Sequence, residues 1–339
     1  MGAFAGAASA QSSVTIYGQI DQGVTKGNGG TAANAGANGT SEAWQLKQAH
    51  SSRVGFRGNE DLGGGLSAQF LLEHRFQPDT GAGSGAAGTP TAPSVFWDGG
   101  SYVQLTSSAA GSIYFGRWYT PAFYVALKTD PFGWDGIGQV GSKAWAGYLT
   151  PGPTPAGATA GTGVRTSNTV GYKTPNLGGF TANVAVGLGE AVVGRDQGFN
   201  AEYTAGPLYV GIGYEKINEG PVATKDNSLV IFGIAYDFKF VRPMFAFSRS
   251  KIGAGNIITG KFMEAALTAP IGAGILKAAY YTEKPDGPTA AQSLQEKKFG
   301  IGYDYYLSKR TRIYADLSQA KQDTKTNNSA YMVGVRHDF

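Results

Sequence analysis

Residues able to do bond-making chemistry are scarce in this chain. Its 339 residues include no cysteine and three histidines, His50, His74 and His337. A disulfide framework, a thiolate nucleophile and a cysteine metal site are therefore excluded, and a histidine metal centre has too few ligands. A serine or acid nucleophile needs a base within hydrogen-bond reach and a third group to orient that base. His74 shares the parity of apolar neighbours near a predicted strand end, His50 lies ahead of the second strand, and neither has an evident orienting partner in the sequence. Glycine pairs such as Gly187-Leu188-Gly189 and Gly211-Ile212-Gly213 lack the strand-to-helix context of a nucleotide loop. The sequons at Asn38 and Asn327 read as chance loop sequences. No catalytic set, cofactor site or metal site is expected.

What remains is fixed charge. Around Arg53 the apolar Val54 and Phe56 hold one parity, leaving Arg53, Gly55 and Arg57 on the other. In the next segment Ala68, Phe70 and Leu72 are set against Gln69, Glu73 and Arg75, and further on Arg165 and Lys173 share the parity of Thr169 and Gly171. Arg117 shares parity with Ile113 and Phe115, so it reaches water only at a strand end or past a bulge. Arginine is planar and permanently charged, so such a group sets a fixed field. Arg53, Arg75, Arg117 and Arg165 are expected to form a basic wall, with Arg57 and Lys173 nearby, faced by Glu73 and by Asp130. Each arginine alone fits equally well a solvated rim charge or a contact to a lipid phosphate.

These side chains need elements with one wet and one apolar face, and alternation of that kind runs through the chain. The closing stretch sets Tyr331, Val333, Val335, His337 and Phe339 against Met332, Gly334, Arg336 and Asp338. Phe180 to Leu188, Leu208 to Glu215, Phe299 to Tyr305 and Arg312 to Ser318 repeat the pattern. No apolar run approaches the roughly 20 residues of a membrane helix. In a membrane barrel only every second residue meets lipid, which keeps mean hydropathy near neutral; here it is slightly negative.

Short turns, near Asn59 to Gly64, Ser107 to Gly111, Thr174 to Gly179, Ala205 to Pro207, Lys239 to Val241, Ala269 to Ala273 and Leu307 to Arg310, alternate with long polar segments. The breaks divide the chain into about sixteen strands with both ends on the short-turn side, the plan of an outer-membrane barrel. Tyr17, Tyr102, Tyr172, Tyr203, Tyr214, Tyr236, Tyr280, Tyr303, Tyr305, Tyr331 and Phe339 fall in or near strand ends, where rings can sit at headgroup level. Met1 to Ala10 is small and apolar, with Ala8-Ser9-Ala10 suiting signal peptidase, so residues 1–10 read as an export-signal remnant and 11–339 as one barrel. The segment 118–164 exceeds ordinary loop length and holds Tyr119, Phe123, Tyr124, Phe132, Trp134, Trp145 and Tyr148, so it should pack against the inner wall.

Five segments carry a resemblance: QSSVTIYGQID from Gln11, SSRVGFRGNEDLGGGLSAQFLLE from Ser51, SIYFGRWYTP from Ser112, RTSNTVGYKTPNLGGF from Arg165, and the ending VGVRHDF. Together they resemble the general porins of Gram-negative outer membranes, of the β-proteobacterial sixteen-stranded trimeric type, over essentially the whole chain. The resemblance implies a passive water-filled pore narrowed by the third extracellular loop, residues 118–164 here, a homotrimer, and Phe339 as the signal read by the barrel assembly machinery. Two departures stand out: Trp97-Asp98-Gly99-Gly100-Ser101-Tyr102 offers an acid and glycines where relatives often have an arginine, and Arg75 stands where many have a small residue. The charge pattern of the eyelet is thereby redistributed.

Three function classes are compatible with such a barrel: a general diffusion porin with weak anion preference, a substrate-specific channel for a small anionic or sugar solute, and a barrel enzyme. The first fits best. The net charge of +4 comes from bases spread along the chain, which argues against nucleic acid. Lipopolysaccharide, outer-membrane lipid, small hydrophilic solutes and anions are the expected partners, and the outer membrane, reached through the periplasm, the expected location.

Overall fold

The computed structural model describes residues 13–32, 41–83, 96–141, 164–188, 190, 195–218, 226–252 and 258–339. The expected export-signal remnant at residues 1–10, the expected start at Gln11, Asn38, Trp145 and Tyr148 lie outside the described residues. The strands are β1 (Ser13–Gly27), β2 (Gln45–Lys47), β3 (Ser52–Gly63), β4 (Leu66–Gln77), β5 (Ala82–Gly83), β6 (Gly100–Ser107), β7 (Gly111–Tyr119), β8 (Arg165–Lys173) and β9 (Phe180–Gly187). They continue with β10 (Asp196–Ala205), β11 (Leu208–Asn218), β12 (Asp226–Tyr236), β13 (Arg242–Ile252), β14 (Ile258–Ile271), β15 (Gly274–Asp286), β16 (Glu296–Tyr306), β17 (Thr311–Gln322) and β18 (Asn328–Asp338). β2 and β5 are short additions. The other sixteen form one antiparallel barrel in which each strand pairs with its sequence neighbours.

β1 closes the ring. Its first half pairs with β3, from Ser13↔Asn59 to Gln19↔Arg53, and its second half pairs with β18, from Gln19↔Asp338 to Gly27↔Ala330. Gly18 and Phe339 exchange both backbone hydrogen bonds at 3.0 Å, and a methyl group at Gly18 would run into the Phe339 ring. Closure leaves no unpaired edge, which is the condition for strands to stand in hydrocarbon.

Parity sorts side chains as the alternation predicts. Val14, Ile16, Val24, Phe70, Val103, Ile212, Met263, Phe299, Leu317 and Val333 are exposed on the outside, whereas Asp21, Glu73, Glu215, Lys277, Asp304 and Asp316 are buried on the inside. Outward rings gather toward the short-turn end: Phe180 lies 4.4 Å from Tyr203, Tyr236 lies 4.6 Å from Phe238, and Tyr172 and Tyr303 donate to backbone carbonyls there. Two members of the expected aromatic girdle do not join it. Tyr17 and Tyr102 face inward, since Tyr17 donates to Glu73 and Tyr102 packs on Tyr114 and Trp118.

The segment after β7 folds into the barrel and carries a helix, α1 (Pro121–Thr129), where the alternation of apolar residues predicts only loop. Pro121 occupies the first turn, where its missing N–H costs nothing. Ala122, Phe123, Val125 and Ala126 are buried in one cluster with Leu229, Ile231, Met244 and Phe262 of the inner wall. Inward glycines make this approach possible: a methyl group at Gly213 would stand 2.6 Å from Ala122 Cα, and one at Gly300 would meet Gly138 O. These inward glycines thus leave room for the protein's own loop.

Candidate functional site

On the arc from β3 to β8 a basic cluster is built around one carboxylate. Register places Arg53 opposite Arg75 and Gly55 opposite Glu73, all inward. Arg75 Nε donates to Glu73 Oε1 at 3.0 Å, Arg53 lies 3.8 Å from Oε2, and the Tyr17 hydroxyl donates to the same oxygen at 3.1 Å. Arg165 comes from the far side of the arc. Its Nε donates to Gly99 O at 2.9 Å, and its NH2 donates at 2.8 Å to the Tyr119 hydroxyl, which also accepts from Arg75 NH2 at 3.3 Å. Three guanidiniums therefore converge where one carboxylate sits, and positive charge remains in excess.

The departures noted in the sequence explain how this cluster is seated. Asp98 Oδ1 accepts from the Arg75 backbone N–H, and the carbonyls of Asp98 and Gly99 accept from Arg117 and Arg165. A methyl group at Gly99 would stand 2.3 Å from Glu73 Oε1, so the glycine lets the carboxylate turn toward its arginines. Arg117 sits within a register shift between Gly116 and Trp118, the irregularity its parity required, and donates to Ser167 Oγ at 3.0 Å instead of joining Glu73. Arg57 stands over the Tyr17 ring at 5.4 Å, and Lys173 lies over Tyr114 and Tyr124 at 5.0 and 5.5 Å. These two extend the positive lining toward the short-turn end.

Asp130 does not face the arginines. Its carboxylate accepts backbone N–H groups of Phe132, Val140 and Gly141, tying the segment after α1 into a compact turn. The loop acid nearest the cluster is Asp135, which accepts from Ser51 Oγ at 3.4 Å and acts electrostatically on Arg75. Parity has no bearing on loop residues, so nothing in the strand pattern distinguishes Asp135 from Asp130.

The loop is pinned at several points. Glu215 Oε1 accepts the Ala122 N–H at 2.7 Å, placing a carboxylate at the positive end of α1. Arg242 donates to Lys128 O at the other end, and Lys298 Nζ donates to Gln139 O at 2.7 Å. Along the near edge Trp118, Tyr119, Phe123 and Trp134 form a continuous aromatic run, with successive ring centroids 4.7, 4.8 and 4.7 Å apart.

A second polar strip lines β15 to β1. Lys277 pairs with Asp304 at 2.7 Å and Asp316 at 3.6 Å, and Arg312 pairs with Asp304 at 3.5 Å. His50, expected to lack an orienting partner, has one: Nδ1 lies 3.2 Å from Asp21 Oδ2. Its Nε2 faces Arg312 NH2 at 3.3 Å, so the atom a general base would use is occupied by a cation's N–H. The separation of 29 positions between Asp21 and His50 hid this contact from the sequence.

The comparisons agree with this architecture. The sequence model of the Gram-negative porin family matches residues 1–325. Outer membrane porin protein 32 of Delftia acidovorans is 32% identical over 373 residues, covering 99% of this chain and 97% of that protein. An outer membrane porin protein of Bordetella pertussis is 29% identical over 99% of this chain and 97% of its own length. Among solved structures, an anion-selective porin from Comamonas acidovorans superposes with a TM-score of 0.81 at 26% identity, covering 97% of this chain and all of that one. The trimer form of OmpT from Vibrio cholerae shares the fold, with a TM-score of 0.72 at 14% identity over 97% of this chain and 99% of its own. With sixteen long strands closed into a ring, an inward third loop and relatives of this kind along its whole length, the chain belongs to the Gram-negative porin family and is a β-barrel of the bacterial outer membrane.

Proposed function

We propose that this porin passes small hydrophilic solutes by passive diffusion and favours anions weakly, with Arg53, Arg75 and Arg165 as the selecting wall and Glu73 tempering it. Arg57 and Lys173 continue the positive lining, and Arg117 acts mainly by holding the Asp98–Gly99 segment. The observation that carries this reading is that Arg53 and Arg75 share the single carboxylate of Glu73 while Arg165 meets Arg75 at the Tyr119 hydroxyl. Rings of fixed positive charge in a low-dielectric passage raise the local anion concentration. The relative from Comamonas acidovorans is described as anion-selective, which points the same way. Reversal potentials across a KCl gradient test the wall: the wild type should prefer chloride, and Arg53→Ala with Arg75→Ala should lose most of that preference. Potassium preference in the wild type, or no shift in the double variant, would reject it.

One observation favours a second reading. The unbroken run Trp118–Tyr119–Phe123–Trp134 beside Arg165 could act as a track for an aromatic or sugar-like anion. Single-channel recordings separate the two, because a track predicts block by one solute at micromolar concentration whereas diffusion predicts conductance that does not saturate.

The occupied His50 Nε2 supports a channel without catalysis. The trimer form of the Vibrio cholerae relative supports a homotrimer, and Phe339, paired into the closing strand, suits a terminus read by the assembly machinery. Met1 to Ala10 remains proposed as an export-signal remnant, leaving residues 11–339 as the single barrel. The intact mass of protein from native membranes checks this, with Gln11 as the expected first residue.

A further inference from the structure

A row of cations stands on the outside of the barrel, on the arc opposite the basic wall, and the pore has no use for it. Parity puts Arg249 and Lys251 of β13, Lys261 of β14, Lys284 of β15, Lys297 of β16 and Lys321 of β17 outward, and all are exposed. Register brings like charges face to face: Arg249 opposes Lys261, Lys261 opposes Lys284, and Lys297 opposes Lys321. Directly opposed like charges destabilise a sheet unless counter-charge is supplied. Among the described residues these six form no ion pair. Two exposed carboxylates lie at the ends of the row, Asp286 at the end of β15 beside Thr259 and Asp323 just past β17, hydrogen-bonded with Gln295.

Their height is specific. In β14 Ile271 lies ten positions beyond Lys261. At a rise of about 3.4 Å and a tilt of about 40°, this is about 26 Å, the height of the apolar band of such barrels. Beneath the row, past Thr282 and Gln319, the outward side chains are apolar: Phe247, Met263, Tyr280, Phe299 and Leu317. The row lies at the long-loop end of the strands, the outer-leaflet side in the outer-membrane plan. On the arc of β3, β4 and β6 the corresponding outward positions are Val54, His74, Phe76 and Ser101, with no lysine or arginine.

A second feature adjoins the row. Directly below Lys297 and Lys321 an open groove of about 420 Å³ is floored by Phe299, Ile301, Leu317 and Tyr331 and edged by Lys26 and Gln319. Lys26 itself lies 5.4 Å from the Trp44 ring, which packs edge-on against Tyr331.

We propose that the outward face of β13–β17 is a docking surface for the phosphorylated glycolipid of the outer leaflet, lipopolysaccharide, with phosphates on the Arg249–Lys321 row and an acyl chain in the groove beneath. The inference rests on the outer-membrane reading and names the lipid and the face. Opposed cations supply what a bisphosphorylated headgroup needs, and the phosphates remove the repulsion the register creates. Such a row also repels a second copy of itself, so contacts between protomers belong to another arc.

Native mass spectrometry of the detergent-solubilised full protein, titrated with diphosphoryl lipid A and with its dephosphorylated counterpart, tests this. The wild type should prefer the diphosphoryl form at least tenfold, and the Lys261→Gln, Lys284→Gln, Lys297→Gln, Lys321→Gln variant should lose that preference. Inorganic phosphate at equal concentration should not displace the lipid, because it offers nothing to the groove. Equal binding of the two lipids by the wild type, or an undiminished preference in the variant, would overturn the proposal. Should the variant fail to fold, the wild type decides alone: its preference must fall as salt is raised, and a salt-independent preference overturns the proposal equally. Conductance in bilayers of phospholipid alone reads the channel separately, and its failure would strike the porin reading while the glycolipid preference is scored from binding.

Discussion

Glu73 is the residue on which the basic wall turns, because it holds Arg53, Arg75 and the Tyr17 hydroxyl at once. Removing its charge should strengthen the field seen by a passing anion. A unit charge at about 4 Å is worth about 1 kcal/mol even in water, or roughly fivefold in a permeability ratio. Glu73→Gln is therefore expected to raise chloride over potassium preference by a few-fold, and Arg75→Ala to lower it by a similar factor, both read as reversal potentials. Because guanidinium does not deprotonate in the working range, the preference set by the arginines should be flat from about pH 6 to pH 9. Alternation alone was enough to bring Arg53, Glu73 and Arg75 together, since each sits in a regular strand. It could not place Asp130, whose partners lie in its own turn, nor pair Asp21 with His50 across a loop.

The third loop shows what an element needs from its neighbours. α1 lies on β11 and β12 because Gly211, Gly213 and Gly233 present no side chain beneath it, and the stretch around Gly138 rests on Gly300 for the same reason. Gly300→Leu should lift that stretch from the wall while leaving the strand ladder intact. The expected result is altered single-channel conductance and faster proteolysis between residues 130 and 141, with the SDS resistance of the barrel unchanged. Asp130→Ala should loosen the same segment by leaving three N–H groups without their acceptor, at a cost of about 1–3 kcal/mol for each group left buried and unpaired, again read by proteolysis. The inward path of this loop was legible from its length and aromatic content. The helix was signalled by Pro121 followed by Ala-Phe-Tyr-Val-Ala-Leu-Lys, but its apolar residues run almost unbroken, so neither a strand nor a helix period stands out.

At the scale of the whole molecule, strand number and sidedness were readable because lipid outside and water inside impose a period of two on every strand. What the period could not reveal was closure. β1 shares itself between β3 and β18 at Gln19, a choice set by register and not by any one residue's type. Gly18→Val should disturb this seam by driving a side chain into Phe339 and the Arg53 carbonyl, lowering the yield of folded barrel on refolding into detergent. Phe339→Ala should leave refolded protein able to conduct but reduce its assembly in cells, as measured by the amount reaching the outer membrane.

The seam carries one more consequence. Because Phe339 is hydrogen-bonded to Gly18, only five residues from Ser13, the two ends of the described chain lie about 17 Å apart along the same strand, toward the same rim. A short linker from Phe339 to Ser13, with a new break opened at the tight turn of Gly206, would give a circular permutant with every ladder preserved. It should refold in detergent to the parental thermal stability while no longer ending on Phe339. Such a protein would separate the aromatic residue as an address from the same residue as a rivet.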